Sequence, residues 1–337
     1  MASRLARLRA RWPVSPRIHA YAAWAALALF ALIVMTGAGV RLTGSGLGCH
    51  DWPRCSDQSF APQTGHGFIE YGNRLVTTPV ALAAIACLVL ALLRRPYRRD
   101  LMWLGAGLVI GVLAQAVLGG ITVLTGLNPV TVMGHFLLSM VTLVLAVSLV
   151  WRVQRERQAL PERPERRAWL VHAVRGLVAF GGVIVFLGTS VTASGPFAGG
   201  EGTGDDVHRL TIFGYDTFKT MVMVHSRLAA VFGVAAVTLW FLARRARAPR
   251  DLMRPLTAVC LAVATAGLIG NLQYHQLDYP AALVWAHVCT ATVLWSSLVW
   301  ALLAAGRPVR PPTHEPQLVS PEPAPLPRSE ATAASAR

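Results

Sequence analysis

His135, His225 and His287 each stand inside a long apolar run of this chain. An ionisable side chain in such a run is costly to place in lipid and usually marks function. His135 lies six residues after Pro129 and His287 seven after Pro280, so both sit near the same end of their runs. His225 stands near the matching end of another run. Two facing imidazoles in a helical bundle are a familiar axial set for haem iron, and His225 and His287 can supply one. The plain alternative is that each ring hydrogen-bonds a neighbouring helix. A matched pair on related helices favours the iron.

Arg74 and Arg227 stand at the same ends, on a side otherwise poor in basic residues. A guanidinium there either pairs with a carboxylate such as a haem propionate or snorkels to water. Glu70 precedes Asn73 and Arg74 by three and four residues, which puts them on one face if a helix begins here. A carboxylate at a helix start is also favoured by the dipole. Of the five cysteines, Cys87, Cys260 and Cys289 lie in apolar runs, where cysteine acts as a small apolar residue. Cys49 and Cys55 flank His50-Asp51-Trp52-Pro53-Arg54, a spacing that permits a disulfide outside the cytoplasm. Zinc binding with His50 is the rival, and a redox-active pair is a third reading. Thr43-Gly44-Ser45-Gly46-Leu47-Gly48 has the look of a phosphate loop, but it follows an apolar helix rather than a strand, so a nucleotide role is set aside.

The elements that carry these residues are membrane helices. The chain has 337 residues, 54% hydrophobic and 14% charged, with a mean hydropathy of +0.49. A soluble domain carries about 25% charge. Eight runs are long enough to cross lipid, at about 20–41, 72–93, 101–125, 129–151, 169–193, 220–243, 253–275 and 280–304. They show no alternation, and lipid leaves helices as the solution. Asn128-Pro129 is the turn that divides the third run from the fourth. The net charge of +15 is no nucleic-acid footprint, because arginines gather at alternate ends of the runs. Arg4, Arg7, Arg9, Arg11 and Arg17, then 94–99, 152–167 and 244–254, face the cytoplasm by the positive-inside rule and meet anionic lipid. Both termini are expected there. The first run reads as a retained helix rather than a signal peptide.

An internal duplication shows at a spacing of about 152 residues. Ile33-Val34, Gly37 and Val40 recur as Ile184-Val185, Gly188 and Val191, and His135 matches His287. Asn73-Arg74-Leu75 aligns with Ser226-Arg227-Leu228, with His225 just before. The expected fold is all-α: two repeat-related four-helix bundles at 19–151 and 169–305. A basic segment at 1–18, a linker at 152–168 and a disordered Pro-rich tail at 306–337 complete it.

From 20 to 304 these features resemble the haem A synthase family. The most specific stretches are Thr43 to Cys55 and Glu70-Tyr71-Gly72-Asn73-Arg74-Leu75. The resemblance implies a haem b between His225 and His287 in the second half. In the first half, haem O would be held by His135, with its C8 methyl oxidised to a formyl to give haem A. It maps the family's acidic residue onto Glu70, its loop cysteines onto Cys49 and Cys55, and propionate contacts onto Arg74 and Arg227. It implies a bacterial plasma membrane, a farnesyl-transferring haem O synthase upstream, and cytochrome c oxidase assembly factors as partners. An electron partner remains unidentified, no nucleic acid is expected, and a homo-oligomer stays open.

One position departs from the family pattern, which has His directly before the arginine where this chain has Asn73. Asparagine is a poor ligand for haem iron. Asn73 lines an open distal side, or His66 folds in from the loop, or the site is inactive; the first suits an oxidation best. His66 lies seven residues before Asn73 and shares its face only if the helix runs outward past Gly65 and Gly67. Two rivals are set against the synthase. A dihaem electron-transfer protein needs four axial ligands, and the chain offers three well-placed histidines. A transporter would set its polar groups near the bilayer midplane, whereas here they cluster at the helix ends.

Overall fold

The computed structural model describes residues 7, 10, 11, 14–57, 59–276 and 279–309. The helices are α1 (Pro16–Leu42), α2 (Gly65–Leu93), α3 (Arg99–Leu124), α4 (Pro129–Arg157), α5 (Ala168–Ser194), α6 (Thr217–Arg245), α7 (Arg250–His275) and α8 (Ala281–Ala305). Each is long and apolar enough to cross a membrane. Their starts follow from local chemistry. Ser15 caps α1 with Pro16 in the first turn, and Asn128 caps α4 with Pro129 there, its side chain accepting from Val130 N at 3.0 Å.

The expected runs match these helices closely except at α2, which starts at Gly65 rather than near 72. Thr64 supplies the cap, accepting from Gly67 N at 3.0 Å. The weakly apolar stretch 65–71 hides this extension from a hydropathy reading. Glu70 therefore stands in the second turn, not at the helix start, and the dipole argument for it falls.

Helices α1 to α4 close into a ring in which each packs on the next and α4 returns to α1; α5 to α8 do the same. Each ring has its own apolar core. The rings meet where α1 and α4 pack on α8, and α4 on α5. Tryptophans of α8 build this seam. The indole of Trp285 donates to the Met35 carbonyl at 2.9 Å and that of Trp295 to the Met140 carbonyl at 3.0 Å. Trp300 stacks on Trp24 at 5.6 Å and meets Trp151 edge-on at 5.7 Å. An indole N–H in an apolar setting needs an acceptor, and a helix carbonyl is one within reach.

The arginine-rich end is a paired network. Arg94, fully buried, donates to Glu156 at 2.5 Å, and Arg98 joins Glu156 at 3.3 Å, Asp100 at 2.6 Å and also Glu162. Arg152 shares Asp100 at 2.6 Å, while Arg155 and Arg166 share Asp251 at 3.0 and 2.9 Å. Burial pulls the Arg94 guanidinium below its ordinary pKa, and Glu156 opposes that shift. Two short strands, β1 (Glu165–Arg166) and β2 (Arg307–Pro308), pair in parallel at the same end. The segment just after α8 is thus built into the linker, against the expectation of a tail from 306. The rest of that tail, 310–337, and most of 1–13 lie outside the described residues.

Arg94→Met keeps the side-chain volume and leaves Glu156 with Arg98 alone. It is expected to destabilise the protein by about 2–3 kcal/mol, read as a lower midpoint of thermal unfolding in detergent. An unchanged midpoint would mean that the network contributes nothing to stability.

Candidate functional site

Counting from the first residue of each helix, His135 is the seventh of α4 and His287 the seventh of α8. Asn73 is the ninth of α2 and His225 the ninth of α6. All four lie toward the end that carries the long loops. Each faces a glycine on a neighbouring helix. A Cβ on Gly119 would lie 3.2 Å from His135 Cε1, one on Gly188 3.3 Å from His225 Cε1, and one on Gly270 3.5 Å from His287 Cε1. A Cβ on Gly37 would lie 3.8 Å from Asn73 Nδ2. At Gly119 and Gly188 a Cβ would crowd the imidazole, whereas at Gly270 and Gly37 it would make an ordinary van der Waals contact.

By helix position and glycine contact Asn73 matches His225 rather than Ser226, which pairs Arg227 with Leu75 rather than with Arg74. Leu75 is exposed, as is Arg227. The slip by one arose from aligning the two arginines, which the helix positions do not match.

In each of the three histidines Nδ1 is the enclosed nitrogen, buried and without a hydrogen-bond partner. The rings as a whole are half-buried, which leaves Nε2 as the accessible nitrogen. The backbone of Ile184 lies beside the His225 ring and that of Ala266 beside the His287 ring, one turn before their glycines. The centres of His225 and His287 are 6.3 Å apart. A metal–imidazole bond of about 2 Å, with the half-width of each ring, sets two rings on opposite faces of one iron roughly 6 Å apart. The two histidines therefore fit a bis-imidazole haem. Among the described residues no group of three or more His, Cys, Asp or Glu side chains gathers as a metal site, and an axial pair is not such a group.

The first ring carries additional polar machinery. Cys49 and Cys55 are joined in a disulfide, which removes the zinc alternative for this pair. Glu70, buried, accepts from Cys49 N through Oε2 at 2.8 Å and from Arg74 through Oε1 at 2.5 Å. Arg74 also donates to the carbonyls of Asp51 at 3.1 Å and Arg54 at 3.0 Å. Both carboxylate oxygens and most of the guanidinium are thus spent on holding the disulfide loop to α2. Trp52, at the centre of that loop, lies on Gly120, where a Cβ would come within 2.7 Å of the indole. The neighbouring Gly119 faces His135, so Glu70, the disulfide loop and His135 share one end of one ring. Arg227, by contrast, makes no polar contact with the other described residues named here.

The glycines of Thr43 to Gly48 serve close backbone contact. Gly44, at φ +63°, abuts Gly202 and accepts from its N–H at 3.1 Å, and Gly46 N donates to Gly199 O at 2.8 Å. Gly48 abuts the His66 carbonyl. His66 itself bonds Ser45 through Nδ1 at 2.8 Å, and its ring rests against Gly202. Because α2 begins at Gly65, His66 shares the helix face of Asn73 two turns further out, but its ring sits in the seam between two loops. Sequence reasoning missed Arg41, which donates to the carbonyls of Phe197 at 2.9 Å and Thr192 at 3.1 Å and so ties the loop ends of the two rings. Its presence on the side poor in basic residues was the available signal.

Eight apolar helices in two rings, with imidazoles set between helices near one end, define a multi-pass helical membrane protein. The family model described as cytochrome oxidase assembly protein matches residues 20–67 and 62–197, and the chain belongs to that family. A haem A synthase of Symbiobacterium thermophilum is 27% identical over 264 residues, 74% of this chain and 84% of the relative. One from Bacillus pumilus is 28% identical over 165 residues, 48% of this chain and 54% of the relative. One from Geobacillus kaustophilus is 32% identical over 131 residues, 37% and 40%. The chain spans about half or less of the length of these last two.

Glu70→Gln removes the charge that pairs with Arg74 while keeping the side-chain size. Hydrogen bonds to charged groups contribute about 1.5–3 kcal/mol. Amide hydrogen exchange within 49–55 is therefore expected to rise roughly ten-fold or more relative to the native chain. Unchanged protection would show that the loop is held by the disulfide and Trp52 alone.

Proposed function

We propose that this chain is a haem A synthase of a bacterial plasma membrane, with both termini in the cytoplasm. It takes haem O from a farnesyl-transferring haem O synthase, oxidises the C8 methyl group to a formyl, and releases haem A toward cytochrome c oxidase assembly. The reading rests on one observation above the rest. His135 and His287 occupy the same position of their helices, each against a glycine, yet among the described residues only the first ring adds a buried carboxylate and a disulfide loop beside its histidine. Two sites of one construction, of which one has extra polar equipment, suit a resident haem beside a reacting one.

In this reading His225 and His287 hold haem b, which supplies one-electron transfer when bound. His135 holds the substrate in the first ring. The reaction is R–CH3 + H2O → R–CHO + 4 H⁺ + 4 e⁻, taken in two oxidations, with the electrons passing to an acceptor still to be identified. Glu70 is held at both oxygens by Arg74 and the Cys49 N–H. A carboxylate so held is a fixed negative charge, suited to stabilising positive charge that develops at the methyl carbon; exchange of the Arg74 contact for a proton would let it act as a base. Arg74 acts on substrate through Glu70 and the loop. Arg227, exposed and outside any ion pair of the described residues, is the freer candidate for a propionate. The rival dihaem electron carrier needs a fourth ligand, and the one further histidine on the α2 face, His66, has its ring packed against Gly202 in the loop seam.

Expression beside a haem O synthase, followed by chromatography of the extracted haems, tests this directly. The native chain is expected to yield haem A, and Glu70→Ala to accumulate haem O or its hydroxylated form. Haem O alone from the native chain would refute the synthase. Full haem A from the variant would refute the role of Glu70.

A further inference from the structure

Four positions share one construction: a side chain near the loop end of a helix, set against a glycine of its neighbour. Three hold histidine and the fourth holds Asn73, in the place of His225. Asn73 is not simply a shorter substitute. Its Oδ1, the amide atom able to coordinate iron, accepts a hydrogen bond from Thr36 Oγ1 at 2.7 Å. Its Nδ2 faces Gly37, and among the described residues no acceptor takes it. An amide nitrogen donates hydrogen bonds and does not ligate, and asparagine ends a bond short of an imidazole Nε2. The one other imidazole on this helix face, His66, lies two turns further out, where Ser45 and Gly202 hold its ring.

We infer that the first ring holds its haem through a single protein ligand, His135, and that Asn73, with Oδ1 on Thr36 and Nδ2 against Gly37, supplies no second one. This rests on the synthase reading for the identity of the haem, and not for its coordination. Thr36 is the positioning residue: by holding Oδ1 it keeps the one amide atom able to ligate from doing so. The two rings then differ where their chemistry must differ. The second ring closes both faces of its iron with His225 and His287. The first leaves one face free for a small exogenous ligand.

The test uses the purified full-length protein loaded with protohaem, in a host lacking haem O synthase, with carbon monoxide as the probe. The native protein is expected to show one low-spin and one high-spin ferric haem by electron paramagnetic resonance, and to bind carbon monoxide at one of its two ferrous haems. Asn73→His should convert the high-spin signal to low-spin and weaken carbon monoxide binding at least ten-fold. Asn73→Leu should keep both the high-spin signal and carbon monoxide binding, because Asn73 supplies no ligand. Two low-spin haems without carbon monoxide binding in the native protein would overturn the inference, as would a haem-replete Asn73→His variant that stays high-spin. Should Asn73→His fail to take up haem, His66→Ala decides the ligand count: an unchanged native spectrum supports the single ligand, and a low-spin signal lost refutes it. Absence of haem A formation when the native chain is instead expressed beside a haem O synthase would count against the synthase reading and leave the coordination standing.

Discussion

The arrangement depends on one close contact made four times: a glycine backbone against the edge of a side chain on the next helix. In lipid the helices gain nothing from burying apolar surface against one another, so small residues that allow near approach decide where they meet. Here the approach also fixes ring orientation. Gly119, Gly188 and Gly270 enclose the Nδ1 edge of His135, His225 and His287 and leave Nε2 accessible. The same contact at Gly37 receives an asparagine. Each residue then inherits a direction from the helix pair that holds it.

Around this shared frame the two rings diverge. The second closes on a facing imidazole pair at 6.3 Å. The first is roofed by a disulfide loop, and Glu70 and Arg74 join that loop to α2 through backbone and side-chain bonds. At the opposite end Arg94, Arg98, Arg152, Arg155 and Arg166 are engaged by Asp100, Glu156, Glu162 and Asp251. These pairs fasten the helix ends to one another. The tryptophans of α8 hold the rings together with bonds to the Met35 and Met140 carbonyls.

Much of the fold was readable from the residues because lipid imposes long apolar runs, and a turn such as Asn128-Pro129 interrupts them plainly. His135, His225 and His287 were readable because an imidazole in such a run is rare. Other features were hidden for physical reasons. The first turns of α2 are weakly apolar and capped by Thr64, so hydropathy does not see them. Apolar helices align with each other in several registers, so the counterpart of Asn73 could not be chosen until the glycine contacts were known. Arg74 and Arg227 looked alike in sequence, yet one is spent on loop carbonyls and a carboxylate while the other is exposed. The glycines of Thr43 to Gly48 have the spacing of an anion loop, and their use in packing loop on loop depends on partners more than a hundred residues away.

The central claim is that one iron sits between His225 and His287 while His135 serves a separate site. The most direct measurement is the low-spin ferric signal of the purified protein in three single variants. The account predicts that His225→Ala and His287→Ala each abolish that signal and that His135→Ala leaves it intact. Loss of the signal in His135→Ala with retention in either of the other two would contradict it.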